Sequence, residues 1–397
     1  MTKRTVILGT SKLAQNVATE LSTQRQSHSG LIGVVSEQQN VALEGFSCPH
    51  LGSLSSFREI IVEHAPKRII VALEDKYEHL PVDQLVEARA RQHIVVETGI
   101  DVFEKLTGRV AIESMRGSSV LFSRDFRPKP FALATSRLLS IIIATTGLIL
   151  AFPLMLGVAL AVRIDSRGPI LFVQDRIGLG GQRFSLFKFR SMFHTGEERS
   201  EWTGDNMDKI TRVGKLIRKF RLDEFPQFIN VIRGDMNIVG PRPHPLSNRE
   251  LFVLVARNTP LCGEQIPYYS LRQSVRPGIT GWAQVRYKYA NGLDEEIEKL
   301  RYDLYYVKHY SPFLDIRILF ETIKIVLYGH IDKESPKPVH KYPHPSGTHG
   351  QVEGKKRSDA ITPPRLVSTY GHDAADEYHS PDDRQQHVRG DSTRSIR

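Results

Sequence analysis

Two adjacent carboxylates, Asp223 and Glu224, stand in a stretch of the chain that is otherwise rich in cations. Before them, residues 212–221 have the periodicity of a basic amphipathic helix. After them, Pro226 favours the first turn of a second helix, which we expect to run to about Arg233. The pair would then lie at a helix start, where free backbone N–H groups stabilise anions. Such a pair suits phosphoryl chemistry on a bound metal, although a capped surface helix with solvated charges explains these residues equally well.

Lys188 and Arg190 are candidate phosphate ligands on a predicted β-hairpin. Two short alternating strands flank the glycine turn at 178–181, which is the pattern of a hairpin. On the second strand the two cations alternate with phenylalanines, so both would project from one face that could hold a diphosphate. A solvated strand face is the alternative. Arg242 is a further candidate, since the rigid turn 240–243 presents its guanidinium.

The composition limits the class of protein. At 397 residues, the chain should form two or more domains. The formal net charge of +10 and the pI of about 9.5 suit a nucleic acid, an anionic membrane surface or a phosphorylated substrate. The two cysteines, Cys48 and Cys262, exclude a disulfide framework and a cysteine-rich zinc site, and they suit a reducing compartment. The N-terminus lacks the pattern of a signal peptide.

Residues 1–110 alternate strand and helix patterns, which predicts an α/β domain with a parallel, Rossmann-like sheet. The loop after the first strand reads GTSKLA at 9–14 and keeps one glycine of the three in the dinucleotide-binding fingerprint. A structural or regulatory domain is therefore favoured, and we expect a chain that starts near Arg124 to keep its activity. The basic, proline-bearing residues 111–135 are predicted to form a linker.

The stretch 138–162 contains 25 residues without a charge, which is long enough to cross a bilayer. Pro153 predicts a break within it, and neither part alone reaches about 30 Å at about 1.5 Å per residue. Because both flanks are basic, a single span would conflict with the positive-inside tendency. It would also separate the N-terminal domain from the carboxylate pair. We therefore predict a membrane-inserted helix at 136–163 that enters, bends at Pro153 and returns; a single span and a buried core helix are the alternatives.

Beyond this helix, residues 164–330 are predicted to form a compact, mostly helical α+β domain at the membrane surface. Within it, an apolar amphipathic helix at 314–327 could rest on the membrane or pack on the core. Residues 331–397 are rich in polar residues and proline and have few large apolar side chains, so they are predicted to be a disordered tail.

Four ordered blocks behind the apolar stretch resemble the bacterial sugar transferases, which are polyprenyl-phosphate glycosyl-1-phosphate transferases. The blocks are GPILFVQDRIG at 168–178, FSLFKFRSM at 184–192, RLDEFPQFINVIRGDMNIVGPRP at 221–243 and VRPGITGWAQV at 275–285. The resemblance covers roughly residues 127–330. The N-terminal part is similar to the nucleotide-binding-like domain of larger, exopolysaccharide-type members, but the four transmembrane helices usual before that domain are not found in this sequence. The family's Lys-Arg-x-x-Asp at the membrane entry is SRLLS here, at 136–140.

The resemblance implies transfer of a sugar-1-phosphate from a UDP-sugar to undecaprenyl phosphate, with release of UMP, to initiate exopolysaccharide or other surface glycan synthesis. In the family, the aspartate of the acidic pair attacks the sugar-bearing phosphate and forms a covalent intermediate, a role that maps to Asp223. Glu224 is expected to help hold Mg²⁺. The expected location is the bacterial inner membrane, with the catalytic and N-terminal domains on the cytoplasmic side. A homo-oligomer and polysaccharide-assembly partners are further expectations. The predicted substrate-binding residues are Arg176, Lys188, Arg190, Arg242 and Arg276.

Three other classes of protein remain as alternatives. A nicotinamide-dependent oxidoreductase built on residues 1–100 leaves the apolar stretch and the acidic pair unexplained. A membrane-anchored, non-catalytic scaffold of a polysaccharide assembly complex is disfavoured by the intact pair. A nucleic-acid binder is suggested by net charge, but the basic residues cluster beside apolar segments, so no nucleic-acid partner is expected.

Overall fold

The three-dimensional structure is a computed structural model. It describes residues 3–23, 29–37, 45–73, 80–115, 120, 125–193, 209–245, 268–287 and 293–328. All of these belong to one compact unit, Met1–Tyr342. The predicted disordered tail, 331–397, and part of the predicted linker lie outside the described residues.

The described residues form strands and helices in an alternating order, followed by a mostly helical part. The strands are β1 (Lys3–Leu8), β2 (Ser29–Ser36), β3 (His50–Ser53), β4 (Arg68–Val71), β5 (Val95–Thr98), β6 (Leu171–Ile177), β7 (Arg183–Phe189), β8 (Asn237–Val239) and β9 (Gly278–Thr280). The helices are Lys12–Thr23, Phe57–His64, Val82–Arg91, Gly99–Thr107, Pro130–Asp165, Arg212–Lys219, Gln227–Arg233, Trp282–Arg286, Leu293–Lys308 and Pro312–Tyr328. Below, Pro130–Asp165 is called the apolar helix and Arg212–Lys219 the basic helix.

Strands β1 to β5 form one parallel sheet in the order β3-β2-β1-β4-β5. Because side chains alternate along a strand, Ile7 packs into the core on one face while Val6 and Leu8 pack into the core on the other. Helices cover both faces, which is how a parallel sheet buries its apolar surface. The α/β prediction is therefore confirmed. Strand β3 and the helix Gly99–Thr107 were not predicted.

The apolar helix is continuous from residue 130 to residue 165 and has Pro153 inside it. The prediction of a break at Pro153 is thus wrong for the secondary structure, and the helix begins within the predicted linker. A proline removes one backbone donor, which kinks a helix without necessarily ending it. Among the described residues, this helix alone is long and apolar enough to cross a membrane by length and composition. Its re-entrant course stays a prediction.

Both ends of the apolar helix contact the same part of the fold. Near its start, the Arg137 guanidinium donates to the carbonyl oxygens of Met236 and Val231 at 2.8 and 2.7 Å. At its end, Asp165 Oδ2 accepts a 3.0 Å hydrogen bond from Val213 N at the start of the basic helix. Between these ends most side chains of residues 145–157 are exposed or only half-buried. The part of the fold that follows residue 165 therefore holds both ends of the helix and leaves its middle largely uncovered.

Strands β6 and β7 form the predicted antiparallel hairpin, with Lys188 opposite Phe172. Strands β8 and β9 form a short parallel pair that brings the 240–243 turn against the 275–285 block. The contact is so close that a Cβ atom on Gly240 would lie 2.4 Å from the Arg276 carbonyl oxygen. Only glycine fits there, so the two blocks are held in a fixed arrangement.

The helix Pro312–Tyr328 packs on the core, which was one of the two alternatives foreseen for it. Leu314 and Ile318 are buried in the same core cluster as Val231, Met236 and Trp282. Phe313 and Phe320 lie on its opposite side and are 78% and 64% exposed. The helix therefore packs on the core with one face and presents an apolar surface with the other.

Buried charges join the N-terminal sheet to the helix Leu293–Lys308. Arg109 pairs with Glu298, and both side chains are nearly inaccessible. Glu298 Oε2 also lies 3.0 Å from Arg301 Nε as an ion pair, and Arg301 pairs in turn with Glu113. Because positive and negative groups alternate through this network, each buried charge is compensated by a neighbour.

Candidate active site

The acidic pair lies on a short 3-10 turn, Leu222–Glu224, between two helices. The basic helix ends at Lys219, and Arg221 then adopts a left-handed conformation with a φ of 55° that redirects the chain. A non-glycine residue in that region costs on the order of 1–2 kcal/mol, so the surrounding packing must hold this turn. Pro226 caps the next helix, Gln227–Arg233. The predicted position of the pair, just before a helix start, is confirmed.

Glu224 is enclosed by cations. Its Oε2 lies 3.4 Å from Arg221 Nη1, and its Oε1 lies 3.6 Å from Arg242 Nη1. Burial raises the pKa of the Glu224 carboxyl, but the charges of Arg242, Lys188 and Arg221 outweigh burial and hold the pKa below its ordinary value. Glu224 is therefore a stable carboxylate at neutral pH.

Asp223 is shifted in the opposite direction. Burial, and next the charge of Glu224, raise the pKa of Asp223 above its ordinary value. Lys188 and Arg218 act against this rise without cancelling it. Two neighbouring carboxylates whose pKa values are pushed apart are suited to different roles, with Glu224 kept as an anion and Asp223 the less stabilised, more basic of the two.

A cavity of about 220 Å³ is lined by Arg176, Lys188, Arg242 and Gln227 together with apolar groups. Arg242 connects this cavity to the acidic pair through its contact with Glu224. Arg176 is held in place because its Nη1 donates to the Pro243 carbonyl oxygen at 3.1 Å. Three cations around one cavity form an anion-binding site that suits a diphosphate. We call it the cationic cavity.

Lys188 is the most enclosed cation of this cavity. Burial, followed by repulsion from Arg242, lowers the pKa of Lys188 to about 8. The charge on Lys188 is therefore present at neutral pH but easily lost, and an anion bound beside it would stabilise the charged form.

The structure does not bring all the predicted phosphate ligands to the cationic cavity. Arg190 Nη2 donates to the Ser166 carbonyl oxygen at 2.6 Å and to the Val162 carbonyl oxygen at 3.3 Å, at the end of the apolar helix. Arg276 Nε donates to the Gly234 carbonyl oxygen at 3.0 Å, at the end of the helix that follows the acidic turn. These two arginines brace the helices that frame the site, and a direct contact of either with substrate stays a prediction.

The side chains that could bind a metal here fit Mg²⁺ only if a substrate supplies further ligands. Among the described residues, no three His, Cys, Asp or Glu side chains gather as a metal site. Mg²⁺ keeps several waters and is often held by one or two carboxylates together with substrate phosphates. Asp223 and Glu224 offer hard carboxylate oxygens of this kind beside a cavity for phosphate. The residues therefore fit Mg²⁺ bound jointly with a diphosphate.

Asn230 is a supporting residue that was not predicted. It is fully buried, and its Oδ1 accepts from Phe187 N at 3.0 Å while its Nδ2 donates to the Ser185 carbonyl oxygen at 2.8 Å. These bonds attach strand β7 to the helix that follows the acidic pair, which sets Lys188 beside Glu224. The available sequence signal was an asparagine within an otherwise apolar helix, since a buried amide must find partners.

The fold and the site together define a carboxylate pair in a cationic enclosure that is built against an apolar helix. A profile of the family described as bacterial sugar transferase matches residues 131–329, about half of the chain. The chain therefore belongs to the bacterial sugar transferase family.

Curated relatives agree with this assignment. The UDP-N-acetylgalactosamine-undecaprenyl-phosphate N-acetylgalactosaminephosphotransferase of Aeromonas hydrophila is 39% identical over 241 residues, which are 60% of this chain and 54% of that protein. The UDP-glucose:undecaprenyl-phosphate glucose-1-phosphate transferase of Escherichia coli K12 is 36% identical over 226 residues, 56% of this chain and 47% of that protein. The Xanthomonas campestris protein of the same name is 31% identical over 347 residues, 82% of this chain and 66% of that protein. The chain thus spans about half the length of the first two relatives.

Proposed function

We propose that this protein transfers a sugar-1-phosphate from a UDP-sugar to undecaprenyl phosphate, with release of UMP, and so initiates synthesis of an exopolysaccharide or another surface glycan. The observation that carries the proposal is the Asp223–Glu224 pair, whose pKa values shift in opposite directions and which contacts the cationic cavity through Arg242. The relatives, whose names give UDP-sugars and undecaprenyl phosphate as their substrates, supply the substrate class.

The reaction proceeds in two displacements. An Asp223 carboxylate oxygen attacks the phosphorus that bears the sugar; the new P–O bond forms as the bond to the bridging oxygen breaks, and UMP leaves with the electron pair. Arg176, Lys188 and Arg242 stabilise the charge that develops on the diphosphate oxygens. The phosphate of the lipid then attacks the same phosphorus, and the Asp223 carboxylate is regenerated. A carboxylate nucleophile avoids the need to deprotonate an alcohol, and an acyl phosphate is reactive enough to pass the group on.

Glu224, with the donor diphosphate, would hold Mg²⁺. When bound there, the ion would neutralise phosphate charge that otherwise repels an anionic nucleophile. The low pKa of Glu224 favours this role, because a metal ligand must be deprotonated. Arg221 and Arg242 already pair with Glu224, so they would orient the carboxylate toward the metal or yield one oxygen to it.

The site lies at the cytoplasmic face of the inner membrane, where the phosphate of the lipid substrate is found. Two observations support a re-entrant course for the apolar helix. Its two ends contact the same domain through Arg137 and Asp165, and its middle, which includes Pro153, is largely exposed and apolar. A helix that crossed a bilayer of about 30 Å would place those ends on opposite surfaces. Exposed apolar side chains of the neighbouring helices, such as Leu216 and Phe320, extend the same surface.

The N-terminal sheet serves a structural role in this proposal. Its strand order suits a Rossmann-like domain. In such a domain the loop after β1 would hold a pyrophosphate. Here that loop packs closely against the backbone at Ala72. A Cβ on Gly9 would lie 2.4 Å from the Ala72 carbonyl oxygen, and Ser11 Oγ donates to that oxygen at 2.6 Å.

A UMP-release screen tests the proposal. The full chain in nanodiscs that contain undecaprenyl phosphate is incubated with Mg²⁺ and a panel of UDP-sugars, including glucose, galactose and N-acetylated sugars. We expect UMP and a lipid-linked sugar phosphate to appear in equal amounts with at least one donor. Turnover with none of them, in a preparation that remains folded, would exclude the transferase activity.

A further inference from the structure

A second cavity adjoins the cationic cavity at Arg242. Its volume is about 270 Å³, and it shares Arg242 and Pro243 with the cationic cavity. The acidic pair and Lys188 do not line it. We call it the proline cavity.

Three prolines give this cavity flat, apolar walls. They are Pro241, Pro243 and Pro277, and the wall continues with Val275. Flat apolar walls favour a planar ring over a hydroxyl-rich one, because each hydroxyl group that is buried without a partner costs free energy. The shape and polarity of the walls therefore match a nucleobase and part of its ribose better than a pyranose.

The polar groups of the proline cavity are few and fixed. Tyr269 OH lies 3.0 Å from His244 Nδ1, and the Gln273 side-chain amide lies against Gly181 of the hairpin turn. The charge of Arg272 is compensated by Asp303, whose Oδ2 lies 2.8 Å from Arg272 Nη2. Burial, together with the nearby charge of Arg272, keeps the pKa of His244 well below its ordinary value, so its imidazole is neutral. Apart from the shared Arg242, the cavity consequently offers hydrogen bonds without net charge, as a neutral pyrimidine requires.

The geometry of the reaction decides which end of the donor reaches this cavity. In a phosphoryl transfer the attacking and leaving oxygens lie roughly in line on opposite sides of phosphorus. The leaving group here is UMP, so the nucleoside must lie away from Asp223, beyond the diphosphate. The sugar is bonded to the phosphate under attack and stays close to the acidic pair. The proline cavity adjoins the cationic cavity through Arg242 and Pro243, and its lining includes neither Asp223 nor Glu224, so it can take the group that lies beyond the diphosphate.

We infer that the proline cavity is the subsite for the uridine end of the donor, with Gln273 and Tyr269 as its hydrogen-bonding side chains. This assignment rests on the proposed transferase function. The Gln273 amide carries both a donor and an acceptor, which complement the N–H and carbonyl groups on the edge of uracil. The diphosphate then spans from this cavity to Lys188, with Arg242 between the two.

Calorimetric titration of the full chain in nanodiscs, with Mg²⁺ present, tests the subsite. UMP and pyrophosphate serve as two probes, since pyrophosphate needs the cationic cavity alone. We expect Gln273→Ala and Tyr269→Phe each to weaken UMP binding roughly three- to tenfold, the loss of one neutral hydrogen bond, and to leave pyrophosphate binding unchanged. Gln182→Ala is the matched control, because Gln182 is exposed on the same hairpin turn and does not line the cavity.

Three other results of the titration can be distinguished. If UMP affinity does not change while the selectivity between two UDP-sugars does, the cavity holds the sugar and the assignment is overturned. Equal weakening of both probes would show a general disturbance of the cationic cavity and would also overturn it. If UMP binds with the expected dependence on Gln273 while the same preparation transfers no sugar phosphate, the subsite stands and the transferase proposal fails.

Discussion

The indole Nε1 of Trp282 donates a 2.7 Å hydrogen bond to the carbonyl oxygen of Gly108. Trp282 belongs to the 275–285 block of the transferase, whereas Gly108 ends a helix of the N-terminal sheet domain. The contact is tight, because a Cβ on Gly108 would lie 3.0 Å from the indole ring. The N-terminal domain is therefore built onto a transferase motif. This interface does not support the expectation that a chain starting near Arg124 keeps its activity, since such a chain would lose every partner before that residue.

The first prediction concerns the buried charges of this interface. Replacing Arg109 by Met leaves the buried Glu298 carboxylate with one partner fewer, and we expect the free energy of unfolding to fall by about 3–5 kcal/mol. Thermal or denaturant unfolding of the purified chain in detergent measures the change. Arg58→Met is the matched control, because Arg58 forms an exposed ion pair with Glu87 and should contribute less than about 1 kcal/mol. Equal losses in the two variants would show that burial of the pair does not matter.

The second prediction concerns the membrane topology. In a chain whose native cysteines are replaced by serine, Asp125→Cys and Arg167→Cys flank the apolar helix at exposed positions. We expect an impermeant thiol reagent to label both from the cytoplasmic side only, because the two helix ends contact one domain. Val62→Cys, on the exposed surface of the N-terminal domain, reports the side on which that domain lies. Labelling of the two flanking positions from opposite sides would establish a single span.

The two elements that were not predicted from the sequence lack a strong local pattern. Strand β3, His50–Ser53, has no β-branched residue and pairs with β2 only because the sheet supplies a neighbour. The helix Gly99–Thr107 was not predicted because it begins with a glycine. Its start was nevertheless readable from Thr98, whose side chain accepts a hydrogen bond from Asp101 N as an N-cap.

The candidate site could be predicted in part. The sequence indicated which motifs meet at the site, but it did not indicate where each single cationic side chain points. Lys188 and Arg242 reach the acidic pair as their blocks suggested. Arg190 follows Phe189, where strand β7 ends, so the alternation that placed it beside Lys188 no longer applies. Its backbone N–H still bonds Ile170, but its side chain turns to the end of the apolar helix. The direction of such a side chain depends on tertiary packing, which a local sequence pattern does not encode.

The third prediction concerns the covalent step. Asp223→Asn removes the nucleophile and keeps the shape of the side chain, so turnover should fall roughly 10³-fold or more while the protein stays folded. Mass spectrometry of enzyme quenched with a UDP-sugar, without lipid acceptor, should find a phosphosugar adduct on the peptide that contains Asp223 and none in the variant. An active wild type that never shows the adduct and releases UMP only when both substrates are present would indicate direct transfer.

Glu224→Gln is the comparison for that experiment. It keeps the nucleophile but removes one negative metal ligand, so we expect the adduct to form slowly and the Mg²⁺ concentration for half-maximal activity to rise roughly 10- to 100-fold. If the two variants were equally inactive and neither responded to Mg²⁺, the division of roles between Asp223 and Glu224 would be wrong.

The fourth prediction concerns the pH dependence of the donor reaction. The pKa of Lys188 is lowered to about 8, so its positive charge is present below that pH and is lost as the pH rises through it. Because the neutral amine no longer attracts a diphosphate, kcat/KM for the UDP-sugar should fall on the alkaline side near pH 8; this parameter reports groups of the free enzyme. Lys188→Arg should move the alkaline limb upward by more than a pH unit, since a guanidinium remains charged. Lys215→Arg, on the exposed face of the basic helix, is the control and should leave the profile unchanged. An alkaline limb that stays near pH 8 in Lys188→Arg would assign it to another group and remove Lys188 from the phosphate site.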